Sequence, residues 1–161
     1  MNIVSIWSSY TIADVHHLTT SPPHYSPNQP KTVSVACLVL LDQQGAVLTT
    51  RRPKGKQLGG LWEFPGGKVE AAESPEEALR REILEELELR LGDLEAMSPV
   101  MHQYPFGVIR LLPFLSEIES HPLIRLVEHS EHRWVTPQTW VNLEWAPADL
   151  PILDQITARL G

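Results

Sequence analysis

The sequence predicts an α/β domain with helices on both faces of a mixed sheet. Three observations support that class. The apolar run VSVACLVLL, from Val33 to Leu41, reads as a strand buried on both sides. Ser74, Pro75 and Glu77 form a strong helix start in the middle of the chain. Near its end, Ile152, Ile156 and Leu160 recur at helical spacing, so that a second helix can cover the opposite sheet face.

The elements follow in order. The run from Thr32 is a central strand, Asp42-Gln43-Gln44-Gly45 a turn and Ala46 to Thr50 a returning strand, so the domain opens with a hairpin. Ser74 with Glu77 three residues later is a capping box, and Pro75 suits the first helical position, which predicts a helix from about Ser74 to Glu88. Leu79, Ile83 and Leu87 then form one apolar stripe. Beyond it, Ala96 to His102 and Val108 to Glu117 read as extended, with Pro113 marking an edge or a bulge in the latter. Arg133-Trp134-Val135 adds a short strand, and Pro151 to Leu160 is the second helix.

Residues 1–31 contain Trp7, the pair His16-His17 and the turn-rich stretch SPPHYSPNQP, and read as a flexible extension ahead of a domain at 32–161. Two adjacent histidines without a further ligand read as solvated rather than metal-binding. A chain of 161 residues with 42% apolar content fits one domain with a sizeable core. The net charge of −7 argues against binding to nucleic-acid polymers, which calls for a basic face. The single cysteine, Cys37, excludes an intramolecular disulfide, and its place in the apolar run makes it a buried strand residue rather than a nucleophile. No run approaches the roughly 18 apolar residues of a membrane span, and no secretory signal is legible, so a soluble cytoplasmic protein is expected.

The chemistry concentrates on the first helix. Glu82, Glu85 and Glu86 fall together beside the apolar stripe. Like charges three and four residues apart cost roughly 0.2–0.5 kcal/mol per pair, and a hard cation reverses that sign. Mg²⁺, and also Mn²⁺, takes carboxylate oxygens while keeping places for water and phosphate. The same acids would equally suit a solvated helix face, and by themselves they leave both readings open.

The order of the whole segment is more specific. It runs Gly67, five residues, Glu73, seven residues, Arg81-Glu82, Ile83, one residue, Glu85-Glu86, one residue, Glu88 and Leu89. This resembles the Nudix box, departing from it where Glu88 stands in place of glycine. That glycine ordinarily ends the helix in a left-handed conformation, so a longer helix is expected here, or a cap displaced toward Gly92. The resemblance extends from about Val33 to Leu160. It includes Arg51-Arg52-Pro53 and GLWEFPGG at 60–67, similar to the lead-in of the MutT-like branch, and WAPADLP at 145–151, similar to its base-holding segment.

The resemblance implies an α/β/α sandwich and a metal-dependent hydrolase that splits nucleoside triphosphates into a monophosphate and pyrophosphate. It assigns Glu82 as general base or activator of a metal-linked water, with Glu85, Glu86, the Gly66 carbonyl and a loop acid, Glu128, as further metal ligands. Arg81 would brace the carboxylates, supported by Glu73 and the turn at Gly67. Arg52 would contact phosphate, as its planar fork suits, although a plain surface arginine is the alternative. Gln57, Glu63, Phe64 and Pro65 match residues near the nucleoside, and Phe64 could equally be core. Lys54 and Lys56 could steer the substrate. Asp149 stands where the branch specific for oxidised guanine has asparagine, which would change the hydrogen-bond code; alternatively it caps the final helix.

The implied substrates are oxidised or modified nucleoside triphosphates such as 8-oxo-dGTP, in nucleotide-pool sanitation and DNA repair. The alternatives are CTP or dCTP, a noncatalytic Nudix-fold binding module, or another nucleoside diphosphate derivative. A small nucleotide is the expected partner, for a monomer or homodimer.

Overall fold

In the computed structural model, residues 29–161 are described; the expected N-terminal extension, apart from 29–31, lies outside them, as do Trp7 and His16-His17. The apolar run is β1, Thr32–Asp42. Beside it β7, Gly107–Ile118, runs parallel in continuous register from Thr32 opposite Val108 to Asp42 opposite Ile118. All other ladders are antiparallel. β1 also pairs β2, Val47–Arg51, and β4, Gly66–Lys68. β2 pairs β3, Trp62–Glu63, and β8, Glu131–Val135. β7 pairs β5, Glu95–Ala96, and β6, Val100–Tyr104. The result is one mixed sheet.

Alternation along β1 divides the core into two layers. Ala36, Leu38 and Leu40 point to one side, where they meet Leu79, Ile83 and Leu87 of α1, Pro75–Leu87. Cys37, Val39 and Leu41 point to the other and pack with Ile152 and Ile156 of α3, Leu150–Leu160, and Trp140 of α2, Pro137–Trp140. The predicted stripe on α1 is fully buried. Truncating any of its residues to alanine would cost about 2–5 kcal/mol.

The opening hairpin closes on the predicted turn, with the Asp42 carboxylate accepting from the Gln44 and Ala46 amides at 2.9 and 2.8 Å and Gly45 at φ 81°. The capping box is present in full: Ser74 Oγ accepts from the Glu77 amide at 3.2 Å, and Glu77 Oε2 accepts from the Ser74 amide at 2.7 Å.

Three expectations need correction. The helix does not run on past Leu87, nor is its cap displaced to Gly92. Glu88 itself takes the left-handed conformation, φ 52° and ψ 36°, and its amide bonds to the Leu84 carbonyl. Pro113 lies in an interior strand rather than at an edge. Its carbonyl accepts from the Met97 amide, so its missing donor faces the break between β5 and β6, where no ladder bond is required. Leu160, the last member of the α3 stripe, is exposed rather than buried.

Candidate active site

Two glycines let the acidic helix approach the sheet. A Cβ at Gly66 would overlap the Ala36 carbonyl oxygen of β1, so only glycine permits this closeness of β4 to β1. A Cβ at Gly67 would overlap the Glu82 carboxyl group, which lies directly on that bare backbone. Local sequence thus sets the position of Glu82 relative to the sheet.

Arg81 organises the acids around it. Its guanidinium donates bidentately to Glu73 at 3.0 and 2.6 Å, to Glu82 at 2.9 Å, to Glu85 at 3.5 Å and to the Lys68 carbonyl at 3.2 Å. The bonds from Arg81, together with the Glu70 amide, hold the Glu73 carboxyl down at about 2. The same contacts to Glu73 and Glu82 keep Arg81 protonated. One guanidinium thus ties Glu73, Glu82 and Glu85 together.

The loop after β7 docks on the end of α1. The Val127 and Arg125 amides donate to the Glu86 and Leu87 carbonyls at 3.1 and 3.3 Å, satisfying last-turn groups that a helix leaves open. This docking carries Glu128 and His129 to a cleft of about 70 Å³ shared with Gly66, Glu86, Arg52 and Glu63. Burial pushes the Glu86 carboxyl up to about 7; Glu82, Glu128 and Glu63 add to the rise and His129 opposes it. Its Oε2 is buried without a hydrogen-bond partner.

A divalent cation fits these observations: an orphaned carboxylate oxygen among other acids, in an all-oxygen set that suits Mg²⁺ or Mn²⁺. The cage is not preassembled. Among the described residues no three His, Cys, Asp or Glu side chains are grouped to hold an ion by themselves. Arg81 draws Glu82 and Glu85 to one side, and Glu128 leans 3.9 Å from Lys56. An open set is what Mg²⁺ uses when substrate phosphates and waters complete its shell.

The other half of the site is assembled from distant segments. Arg52 Nε donates to the Gln57 carbonyl at 2.8 Å and its Nη1 to both Glu63 oxygens at 3.2 and 3.1 Å. It is not a plain surface arginine, and Gln57 enters through its main chain while its side chain is exposed. Phe64 is buried against Trp145 with ring centroids 5.2 Å apart, and its amide donates to Asp149 Oδ1 at 2.8 Å across 85 positions of sequence. Pro65 is buried, its carbonyl accepting from the Leu38 amide. Asp149 does not cap α3, since its side chain makes no capping bond there. Burial, then Glu63, pushes its carboxyl well above the usual range, against the pull of the Phe64 amide and Arg52.

Residues 30–156 match the NUDIX domain. The chain belongs to the Nudix family. It is 32% identical to the CTP pyrophosphohydrolase of Escherichia coli K12 over 119 residues, 74% of this chain and 87% of that one. It is 30% identical to the 8-oxo-dGTP diphosphatase of Haemophilus influenzae over 127 residues, 78% of this chain and 92% of that one. Among solved structures, the solution structure of the E. coli ORF135 protein superposes with a TM-score of 0.68 at 31% identity, covering 80% of this chain and 91% of that one. The protein is therefore a Nudix hydrolase of the MutT-like kind, in a family that generally depends on divalent metals and acts on small nucleotides. No helix among the described residues is long and apolar enough to cross a membrane.

Two neighbours of this Nudix site were not legible in the sequence. His129 has a side chain only 6% exposed, between Glu63 and Glu86. Its one signal was adjacency to Glu128, in a stretch that also holds His132. Tyr104 accepts from the Ala148 amide at 2.9 Å, beside Asp149, and stacks on Phe106 at 4.8 Å. Alternation of His102, Tyr104 and Phe106 was its only mark.

Proposed function

We propose that this Nudix hydrolase is a Mg²⁺-dependent nucleoside triphosphate pyrophosphohydrolase acting on oxidised or modified triphosphates such as 8-oxo-dGTP. The reading is carried by one observation: Glu86, on the same helix as Glu82 and Glu85, opens on one cleft with Arg52 and Glu63, and Glu63 and Arg52 act in turn on the buried Asp149 carboxyl. A noncatalytic module would have no use for the first half.

Water attacks one phosphorus of the triphosphate chain, the bond to the departing pyrophosphate breaks, and a nucleoside monophosphate remains. Glu82, fixed by Arg81 and by the bare Gly67 backbone, accepts the proton of the attacking water. A divalent cation bound by Glu82, Glu85, Glu86, Glu128 and the Gly66 carbonyl supplies charge neutralisation and a more acidic water. Arg52 offers its remaining guanidinium hydrogens to phosphate oxygens. In a protein of net charge −7 these local cations must outweigh an unfavourable overall field.

Asp149 supports the choice of base. While it holds its proton, a carboxyl presents one donor beside its acceptor oxygens, against the two donors of an asparagine amide. On its major-groove edge ordinary guanine shows two acceptors, whereas oxidation at C8 places a hydrogen on N7 beside O6. Cytosine likewise pairs a donor at N4 with an acceptor at N3. The cytosine-nucleotide reading is thus kept as a second one, favoured by the similarity to a CTP pyrophosphohydrolase. The test is product analysis with Mg²⁺ across 8-oxo-dGTP, CTP, 5-methyl-dCTP and the ordinary triphosphates. Monophosphate plus pyrophosphate, with 8-oxo-dGTP turned over far faster than dGTP, is expected. Preferential CTP turnover selects the second reading, and absence of any turnover refutes both.

A further inference from the structure

His129 stands where the two halves of the site meet. Its Nε2 lies 3.1 Å from Glu63 Oε1, within hydrogen-bond range, and its Nδ1 lies 3.9 Å from Glu86 Oε2, beyond it. Glu63 in turn receives Arg52 through both of its oxygens. Side chains thus line up from Arg52, through Glu63 and His129, to Glu86, hydrogen-bonded at every step but the last.

The backbone holds the ring in this place from both sides. The Ser130 amide donates to the Arg51 carbonyl at 3.1 Å, and the Val127 amide to the Glu86 carbonyl at 3.1 Å. Because Nε2 faces a carboxylate, it carries the hydrogen of that bond, and Nδ1 is turned toward Glu86. Both Nδ1 and Glu86 Oε2 are buried and lack any hydrogen-bond partner. Buried polar groups are nearly always paired, so a histidine needed only for packing gains nothing from this arrangement and an apolar side chain would serve better.

We infer that His129 is a positioning residue that couples Glu86 to the Arg52–Glu63 clamp, holding Glu63 by a hydrogen bond and confining the Glu86 carboxylate beside its Nδ1. Groups that orient metal-ligating side chains commonly change metal affinity ten- to a hundredfold when removed. The inference rests on the pyrophosphohydrolase reading for the roles of Glu86 and Arg52, and its test separates the two.

Three variants divide the function. His129→Leu fills the space without polar atoms. His129→Gln places an amide near the Nε2 position, toward Glu63, and His129→Asn places one near Nδ1, toward Glu86. The probes are Mn²⁺ alone, followed by electron paramagnetic resonance, and CMP and 8-oxo-dGMP binding in EDTA, with thermal unfolding in metal-free buffer as the control.

His129→Leu should keep its melting temperature while weakening Mn²⁺ binding about tenfold and weakening monophosphate binding without metal. Gln should recover the monophosphate affinity only, and Asn the Mn²⁺ affinity only. The inference is overturned if His129→Leu binds both probes as the wild type does, or if all three variants lose both in proportion to their loss of melting temperature. A wild-type protein that binds no Mn²⁺ would overturn the functional reading and the inference together, a failure recognisable because it needs no variant.

Discussion

The acidic half of the site and the half proposed to hold the nucleoside, the nucleoside half for short, are built by opposite routes. Every acid of the first half but Glu128 comes from one loop and one helix between Gly67 and Glu86, held by the capping box at Ser74 and by Arg81. The nucleoside half joins Arg52, Phe64 and Asp149 with Tyr104 from four separated stretches, through bonds such as the one from the Phe64 amide to Asp149. The first half is polar, partly open and strained by its own charge; the second is buried and packed on Trp145. A site built in this way can keep its chemistry fixed by local sequence while its base preference drifts through distant substitutions.

The largest effect should come from the acidic half. Glu82→Gln keeps the shape and the contact with Arg81 but removes the proton acceptor, and kcat at saturating Mn²⁺ should fall by about 10²–10⁴, while Mn²⁺ still binds, more weakly, through the other ligands in a direct titration. Unchanged turnover would remove Glu82 from its role as base.

The adjacent glycines sharpen the contrast between stability and chemistry. Gly66→Ala meets backbone, the Ala36 carbonyl, and should cost about 1–3 kcal/mol in urea unfolding. Gly67→Ala meets only the Glu82 carboxyl, so the fold should survive while displacement of Glu82 lowers kcat about a hundredfold. Equal stability losses in the two variants would refute this division.

That division also explains what could be read in advance. The Gly67–Glu86 spacing and the helix cap are local, so residue types alone located Glu73, Arg81, Glu82, Glu85 and Glu86 on one loop and helix. The strand at Val33–Leu41 and both helices were legible for the same reason, since burial imposes its own periodicity. Contacts closed by the fold were not. Nothing near His129 indicated that the loop would seat it on the end of α1, and nothing near Asp149 indicated that its partner would be the Phe64 amide rather than the first turn of α3. Glu88 shows the converse: the helix ends where the box places its glycine, because the Arg125 and Val127 amides capture the last carbonyls there. Tertiary bonds overrode the preference of the residue.

Asp149 gives a pH signature confined to the buried half. Folding raises its pKa, so its contribution to stability is fully present below the ordinary carboxylate range and is lost as pH rises through the folded value. Asparagine does not titrate. In urea unfolding at pH 5 and pH 9, the wild type should therefore lose stability relative to Asp149→Asn as pH increases. A pH-independent difference would contradict the buried, proton-retaining carboxyl.

The smallest effect is expected at the helix end. Glu88 pays for its left-handed conformation by about 1 kcal/mol, and its ion pair with Arg125 is exposed on both sides and adds little. Glu88→Gly relieves the strain but frees the unfolded chain by roughly 0.5–1 kcal/mol, for a net change of only a few tenths of a kcal/mol in favour of the fold, with kcat unchanged. A large loss of stability would mean that the side chain, not the backbone, holds the loop.

The most direct test of the account is one panel of kcat/KM values, 8-oxo-dGTP, dGTP, CTP and 5-methyl-dCTP, measured for the wild type, Glu82→Gln and Asp149→Asn. Glu82→Gln should lower every value by a similar factor and leave the ranking intact, whereas Asp149→Asn should reorder the ranking while sparing the fastest substrate's kcat. A changed ranking in Glu82→Gln, or an unchanged one in Asp149→Asn, would contradict the separation of chemistry from base selection.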